Sequence, residues 1–304
     1  MRVAYLGTST FAVTVLRRLA DSPHRPALVV TPPDRPRGRG RRLASPPVAE
    51  AASELGLSVL QTESVNLPEA AEGVRAARPD LGVVCAFGQL IKDPLLSELE
   101  MLNVHPSLLP RWRGAAPIER AIMAADEGTG ISIIKVTAGL DSGPIALQEP
   151  VAIDERDDFG SLSARLAQLA GELIVRTLDL RKAGTLQLSE QDDSSATYAE
   201  KISTDERRLD PGRPAAELER TVRALNPHIR AYLELDGGER LGVRAAAAEA
   251  GGDLEPRRLA ASDGTLRLGC AEGALRLDVV QPQGKRPMAA DAYLRGHALP
   301  SLAR

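Results

Sequence analysis

The chain has 304 residues, of which 43% are hydrophobic and 26% charged, and its net charge is −3. These values are ordinary for a folded globular protein of two domains, and they exclude both a bulk polycation and a small scaffold that needs disulfides to hold its core. The two cysteines, Cys85 and Cys270, sit in apolar stretches without a CxxC or metal-like neighbour, so they are expected as buried, reduced thiols in a reducing compartment. Met1–Gly7 enters a strand-like run at once with no signal-peptide pattern. No apolar run reaches the roughly 18 residues of a membrane span. A cytoplasmic protein with no membrane partner is expected.

Along the first half, apolar strand-like runs alternate with helix-like segments. Val3–Leu6 ends at Gly7, and a helix is predicted over Phe11–Ala20. Ala27–Val30 is extended and closed by Thr31-Pro32-Pro33. Val48–Leu55 reads as helix, Leu57–Leu60 as extended and Glu69–Ala77 as helix. Leu81–Ala86 is almost continuously apolar, the signature of a strand covered on both faces. Met101–Val104 and the β-branched Ile131–Val136 are strands on either side of a predicted helix, Pro117–Ala125. This rhythm predicts an α/β fold, a doubly wound, mostly parallel (Rossmann-like) sheet with helices on both faces. Ligands of such sheets bind beyond the carboxyl ends of the strands.

Leu162–Leu180 carries leucines near helical spacing. Residues 184–206 are polar and irregular, as a connection would be. Beyond them a helix is predicted over Arg213–Leu225. Short strands follow at Ala231–Leu235, Leu241–Ala245, Thr265–Gly269 and Ala274–Val280, separated by Gly-rich turns. A smaller C-terminal β-barrel of OB-like type is expected. The expected division is a catalytic domain over 1–189, a linker over 190–205 and the C-terminal module over 206–304.

Three segments carry chemistry. In Asn103-Val104-His105, two residues separated by one on a strand point to the same face, so an amide and an imidazole project together. Ser107–Pro117 holds the only tryptophan, Trp112, between Arg111 and Arg113. Gly139-Leu140-Asp141-Ser142-Gly143 is a Gly-flanked turn bearing one carboxylate at the end of a predicted strand. Alone, each has an ordinary explanation: a hydrogen-bonding histidine, an asparagine satisfying a turn, a turn aspartate. Together they place an amide, an imidazole and a carboxylate in one α/β domain. By contrast, Gly7-Thr8-Ser9-Thr10 is neither GxGxxG nor a P-loop, and it reads as a tight strand-to-helix turn with a Ser or Thr cap.

Residues 34–42 hold five arginines and one aspartate. A cluster so dense and free of apolar residues is either a solvated run or a footprint for a polyanion. Arginine throughout favours forked bonds to phosphate.

Asn103-x-His105-x-Ser107-Leu108-Leu109-Pro110 followed by Asp141 resembles the signature of folate-dependent formyltransferases. Ser107–Pro117, Pro33–Gly40 and Thr197–Ile202 resemble, more narrowly, the members of that family that act on transfer RNA. Pro106 and the string Asn226-Pro227-His228-Ile229-Arg230 depart from the family's usual residues. The resemblance implies an enzyme that moves a formyl group from 10-formyl-tetrahydrofolate to the amino group of methionine on initiator tRNA. No metal is expected, since formyl transfer requires none and the four histidines form no obvious cluster, and a monomer is expected because no exposed apolar patch is readable. For formyl transfer Asn103 is expected as donor to the developing oxyanion, His105 as the group that holds or shuttles a proton, and Asp141 as the group that orients the imidazole and helps to take the proton from the attacking ammonium, directly or through a water. The resemblance implies a folate site lined by Ser107, Leu108, Leu109 and Pro110. Phe87-Gly88, at the end of another predicted strand, is expected as a second wall, with core packing the alternative for Phe87. The resemblance also implies tRNA contacts from Arg35, Arg37, Arg39, Arg41 and Arg42. Three other readings stay open at this point: transfer to a small amine, hydrolytic release of formate, and RNA binding without catalysis.

Overall fold

A computed structural model describes residues 1–37, 42–251, 254–299 and 301–302, with side chains undescribed at positions 37 and 42. The chain forms two compact units. The first comprises Met1–Pro117, Gly128–Ala152 and Ser163–Ala199, and the second comprises Ile118–Glu127, Ile153–Leu162 and Glu200–Arg304.

The first unit opens with β1 (Val3–Gly7), α1 (Thr10–Ala20) and β2 (Pro26–Thr31). A short hairpin, β3 (Arg35–Arg37) and β4 (Arg42–Ala44), precedes α2 (Pro47–Glu54) and β5 (Val59–Gln61). Then come α3 (Pro68–Ala76), β6 (Leu81–Cys85), α4 (Leu95–Glu98), β7 (Met101–His105) and β8 (Arg113–Gly114). After α5 (Pro117–Met123) the chain forms β9 (Gly128–Lys135), β10 (Ile145–Ala152), α6 (Phe159–Ala183) and β11 (Tyr198–Ala199). The main sheet has the order β10-β9-β7-β6-β1-β2-β5. Its strands are parallel from β5 to β7, whereas β9 runs antiparallel to β7 and β10 antiparallel to β9. Every residue of β1 and β6 is buried, which is why both read as unbroken apolar runs.

Helix α1 shows how local sequence sets one face of this sheet. Ser9 caps it by accepting from the Ala12 N–H. Ala12, Val15, Leu16, Leu19 and Ala20 recur at helical spacing and are buried. Each such leucine contributes about 1.5–3 kcal/mol relative to exposure. Arg17 and Arg18 occupy the last turn, where positive charge suits the helix dipole.

Strand β10 was not legible as a strand. Its alternation is interrupted by Pro150, which the sheet tolerates because β10 is an edge. The turn between β9 and β10 is tight: a Cβ on Gly143 would lie 1.8 Å from the Lys135 carbonyl oxygen.

The second unit is built on α7 (Ala215–Leu225) and the strands β12 (Ala231–Glu234), β13 (Arg240–Glu249), β14 (Leu259–Ser262), β15 (Thr265–Gly269), β16 (Ala274–Gln281) and β17 (Met288–Ala289), followed by α8 (Ala290–Gly296). These strands form one antiparallel sheet of order β12-β13-β16-β15-β14, with β17 also paired to β16. Within this unit His228, from the string that departs from the family pattern, stacks on Phe159 at 3.5 Å between ring centroids and bonds Glu119 at 2.8 Å. Arg223 is spent on Glu219 and the Asp157 carbonyl, and Arg244 on Gln281. Burial pushes the Arg244 guanidinium down to about 10. Among the described residues no helix is long and apolar enough to cross a membrane.

Gly143→Ala is expected to destabilise the protein by at least about 1–3 kcal/mol, because backbone rather than a flexible side chain must yield. Urea unfolding monitored by circular dichroism would reveal this as a lower midpoint, and an unchanged midpoint would contradict the tight turn.

Candidate active site

The site is assembled in the first unit around the Asp141 carboxylate. Asp141 follows β9, which leaves the sheet beside the start of β7, the Val136 N–H donating to the Met101 carbonyl. The turn nevertheless brings the side chain to the Asn103 and His105 of β7. Asp141 Oδ1 accepts from Asn103 Nδ2 at 3.1 Å. Its Oδ2 accepts from the Gly114 N–H at 2.9 Å and lies 3.5 Å from His105 Nδ1. The carboxylate is 14% exposed and the imidazole 4%. All three catalytic candidates therefore meet, and the alternation read along β7 places Asn103 and His105 toward one partner.

The His105 tautomer follows from its other contact. Nε2 lies 2.8 Å from the Trp112 carbonyl, which can only accept, so Nε2 carries a proton. Nδ1 is left facing Asp141. The Asn103 amide uses one N–H on Asp141, and its second N–H is the donor a developing oxyanion would require.

Backbone strain supports this geometry. Trp112 sits at φ 63° and Asp141 at φ 47°, in the left-handed region that costs a residue with a Cβ roughly 1–2 kcal/mol. Trp112 is held there by its N–H donating to Thr197 Oγ1 at 2.9 Å while its carbonyl takes the imidazole. Gly114 has φ 121°, and a Cβ there would meet the Ala199 carbonyl at 2.8 Å. The short pairing of β8 with β11 is thus open only to glycine at this position.

Of the folate candidates, Ser107, Leu109 and Phe87 are buried. Ser107 Oγ donates to the Arg111 carbonyl at 2.6 Å, and Phe87 packs in the core cluster with Leu6, Val30 and Ile91. Leu108 and Pro110 are half-buried, and Gly88 is exposed at φ 75°. Leu140, next to Asp141, is 57% exposed. Of the arginine candidates, Arg35 is exposed and pairs with Glu63 at 2.7 Å. Arg37 and Arg42 face each other across the β3–β4 hairpin, where the sequence had suggested only a loop. Arg39 and Arg41 lie outside the described residues. Cys85, on β6, is no nucleophile: burial pushes its thiol up to about 12.

A formyl transferase family profile matches residues 1–178, and the profile of the formyl transferase C-terminal domain matches residues 201–298. A methionyl-tRNA formyltransferase of Methylococcus capsulatus is 43% identical over 301 residues, covering 98% of both chains. The chain belongs to the methionyl-tRNA formyltransferase family. A second relative of that name, from Pseudomonas paraeruginosa, is 44% identical over 96% of this chain and 95% of its own. Solved structures agree in fold. The sugar 3N-formyl transferase WlaRD superposes with a TM-score of 0.67 at 13% identity, over 94% of this chain and 99% of its own. HypX from Aquifex aeolicus, in complex with tetrahydrofolic acid, gives 0.65 at 14% identity over all of this chain and 51% of its own.

Sequence reasoning missed the members of this family site that hold others in place. Ser132, fully buried on β9, donates to the Ser107 carbonyl at 2.6 Å and accepts from the Leu109 N–H at 3.0 Å and from Gln148 at 2.7 Å. Gln191 bonds the backbone of the Asp141 turn and Arg113. Nothing local marks either residue, because their partners lie far away in sequence. Ser132→Ala is expected to cost about 1–3 kcal/mol, since it strands a buried N–H and a carbonyl. Guanidinium unfolding would measure it, and a loss of only a few tenths would mean that water or a neighbour replaces the hydroxyl.

Proposed function

We propose that this chain transfers the formyl group of 10-formyl-tetrahydrofolate to the amino group of methionine carried on initiator tRNA. The observation that carries the reading is the meeting of Asn103, His105 and Asp141, in a chain that is similar to methionyl-tRNA formyltransferases over almost its entire length. On this reading residues 1–189 hold the chemistry and 206–304 form a module that helps to bind tRNA, joined by 190–205. The protein works as a monomer in the cytoplasm.

The formyl donor, when bound, supplies the one-carbon unit. The residues present suit such a ligand: Leu140 and Gly88 are exposed and Leu108 and Pro110 half-buried, and on this reading they offer apolar surface to a flat ring. Ser107 and Leu109 are the buried chain neighbours of Leu108 and Pro110, as Phe87 is of Gly88, and on this reading they anchor those residues. Asn103 donates its spare N–H to the carbonyl oxygen as negative charge develops there. His105, anchored at Nε2, accepts at Nδ1 the proton that the attacking amine must lose, and passes one to the departing nitrogen. Asp141 fixes both side chains in place. Arg35, Arg37, Arg39, Arg41 and Arg42 are the residues assigned to the RNA, their guanidinium groups binding its phosphates by forked bonds.

The deciding assay supplies 10-formyl-tetrahydrofolate with methionine-charged initiator tRNA, charged elongator tRNA or an amino-sugar nucleotide. Turnover confined to the initiator tRNA is expected, whereas turnover with the sugar or release of formate alone would overturn the acceptor. Asn103→Ala should lower kcat by about 10²–10³-fold, with His105→Ala at least as damaging, so near-normal turnover in either variant would sink the assigned roles. Replacing Arg37, Arg39 and Arg41 together should weaken tRNA use and flatten its dependence on salt while leaving folate binding intact. Equal loss of both activities would mark misfolding instead.

A further inference from the structure

Gln191 belongs to the polar segment after α6 and touches none of Asn103, His105 or the Asp141 carboxylate. Its side-chain amide nevertheless has all four hydrogen-bonding positions filled. Nε2 donates to the Asp141 carbonyl at 2.8 Å and to the Gly143 carbonyl at 2.7 Å. Oε1 accepts from Arg113 Nε at 3.1 Å and from Nη2 at 2.8 Å. Arg113 precedes Gly114, whose N–H holds the Asp141 carboxylate. A closed ring results: carboxylate to Gly114, Arg113 to Gln191, and Gln191 back to the Asp141 backbone.

We propose that Gln191 is a positioning residue for formyl transfer, fixing the Asp141 turn so that its carboxylate stays within reach of both Asn103 and His105. The proposal rests on the reading of those three residues given above. The chemistry of the contacts demands glutamine. Two donors and two acceptors on one side chain exclude glutamate, which has no N–H to give the carbonyls, and lysine, which cannot accept from Arg113. Asparagine has the same amide but is one methylene shorter. The turn needs the constraint because Asp141 sits at φ 47° and would otherwise relax toward ordinary backbone angles. Arg113 uses it too, because its side chain is only 5% exposed and its buried Nε–H needs an acceptor, which Gln191 Oε1 supplies. The second partner of Arg113, Asp193, bonds it at 2.6 Å, is 80% exposed and makes no bond to the turn, which makes it the internal control.

The test compares full-length wild type with Gln191→Glu and Asp193→Ala. Gln191→Glu still accepts from Arg113 but loses both bonds to the turn. It should lower kcat by roughly 10- to 100-fold, the scale of a displacement of about 1 Å at a reacting group. KM for each substrate should stay within about threefold, and Asp193→Ala should retain kcat within about twofold. The His105 ring nitrogen resonances, read by NMR, should move in Gln191→Glu and stay in place in Asp193→Ala. Wild-type kcat in Gln191→Glu, or an equal loss in Asp193→Ala, would overturn the proposal. Should Gln191→Glu fail to fold, Gln191→Asn carries the same comparison, with lowered kcat expected and full turnover overturning. An inactive wild type would refute the functional reading alone. The NMR arm still decides the role of Gln191 in that case, an unchanged His105 spectrum in Gln191→Glu overturning it.

Discussion

A carboxylate largely withdrawn from water must find donors, and the organisation of the first unit follows from how Asp141 finds its own. It is 14% exposed, and its partners come from β7 and from the end of β8. An unpaired charge at that depth would cost several kcal/mol, so the segments that supply donors are bound to one another through it. The charge needed for chemistry is also the charge that gathers the site.

The rigidity behind this comes from the sheet. β7 lies between β6 and β9: Asn103 is paired with Val84 on one side and Ile134 on the other, and His105 with Ser132, so neither can drift without breaking the ladder. The loops are less regular, and they are held by side-chain to backbone bonds instead: Ser132 and Gln148 under residues 107–109, Thr197 under Trp112, Gln191 under the turn. Two residues at positive φ, Trp112 and Asp141, show where that network works against backbone preference.

What the sequence made legible divides along physical lines. Strands β1, β6 and β7 could be read because covered strands must be apolar, and the shared face of Asn103 and His105 because the pleat has a period of two. The antiparallel sense of β9 could not, since Ile131–Val136 looks the same in either direction. Strand β10 was hidden by its proline, and the β3–β4 hairpin by its arginines and glycines. Arg113 lay within a recognised string, yet nothing local disclosed a buried guanidinium. Its partner Gln191 is 78 positions away, and hydrogen bonds over such separations leave no periodicity to detect.

The pairing of β8 with β11 has a bearing on synthesis as well as on architecture. The Trp112 N–H finds its acceptor 85 residues downstream, and the Gly114 strand is closed by Ala199. During vectorial emergence from a ribosome, the parallel strands can associate early, but the imidazole anchor has no firm support until that later segment is available. Completion of the catalytic centre is therefore a late event in maturation, and a nascent chain that has displayed Asn103, His105 and Asp141 is still an unfinished enzyme.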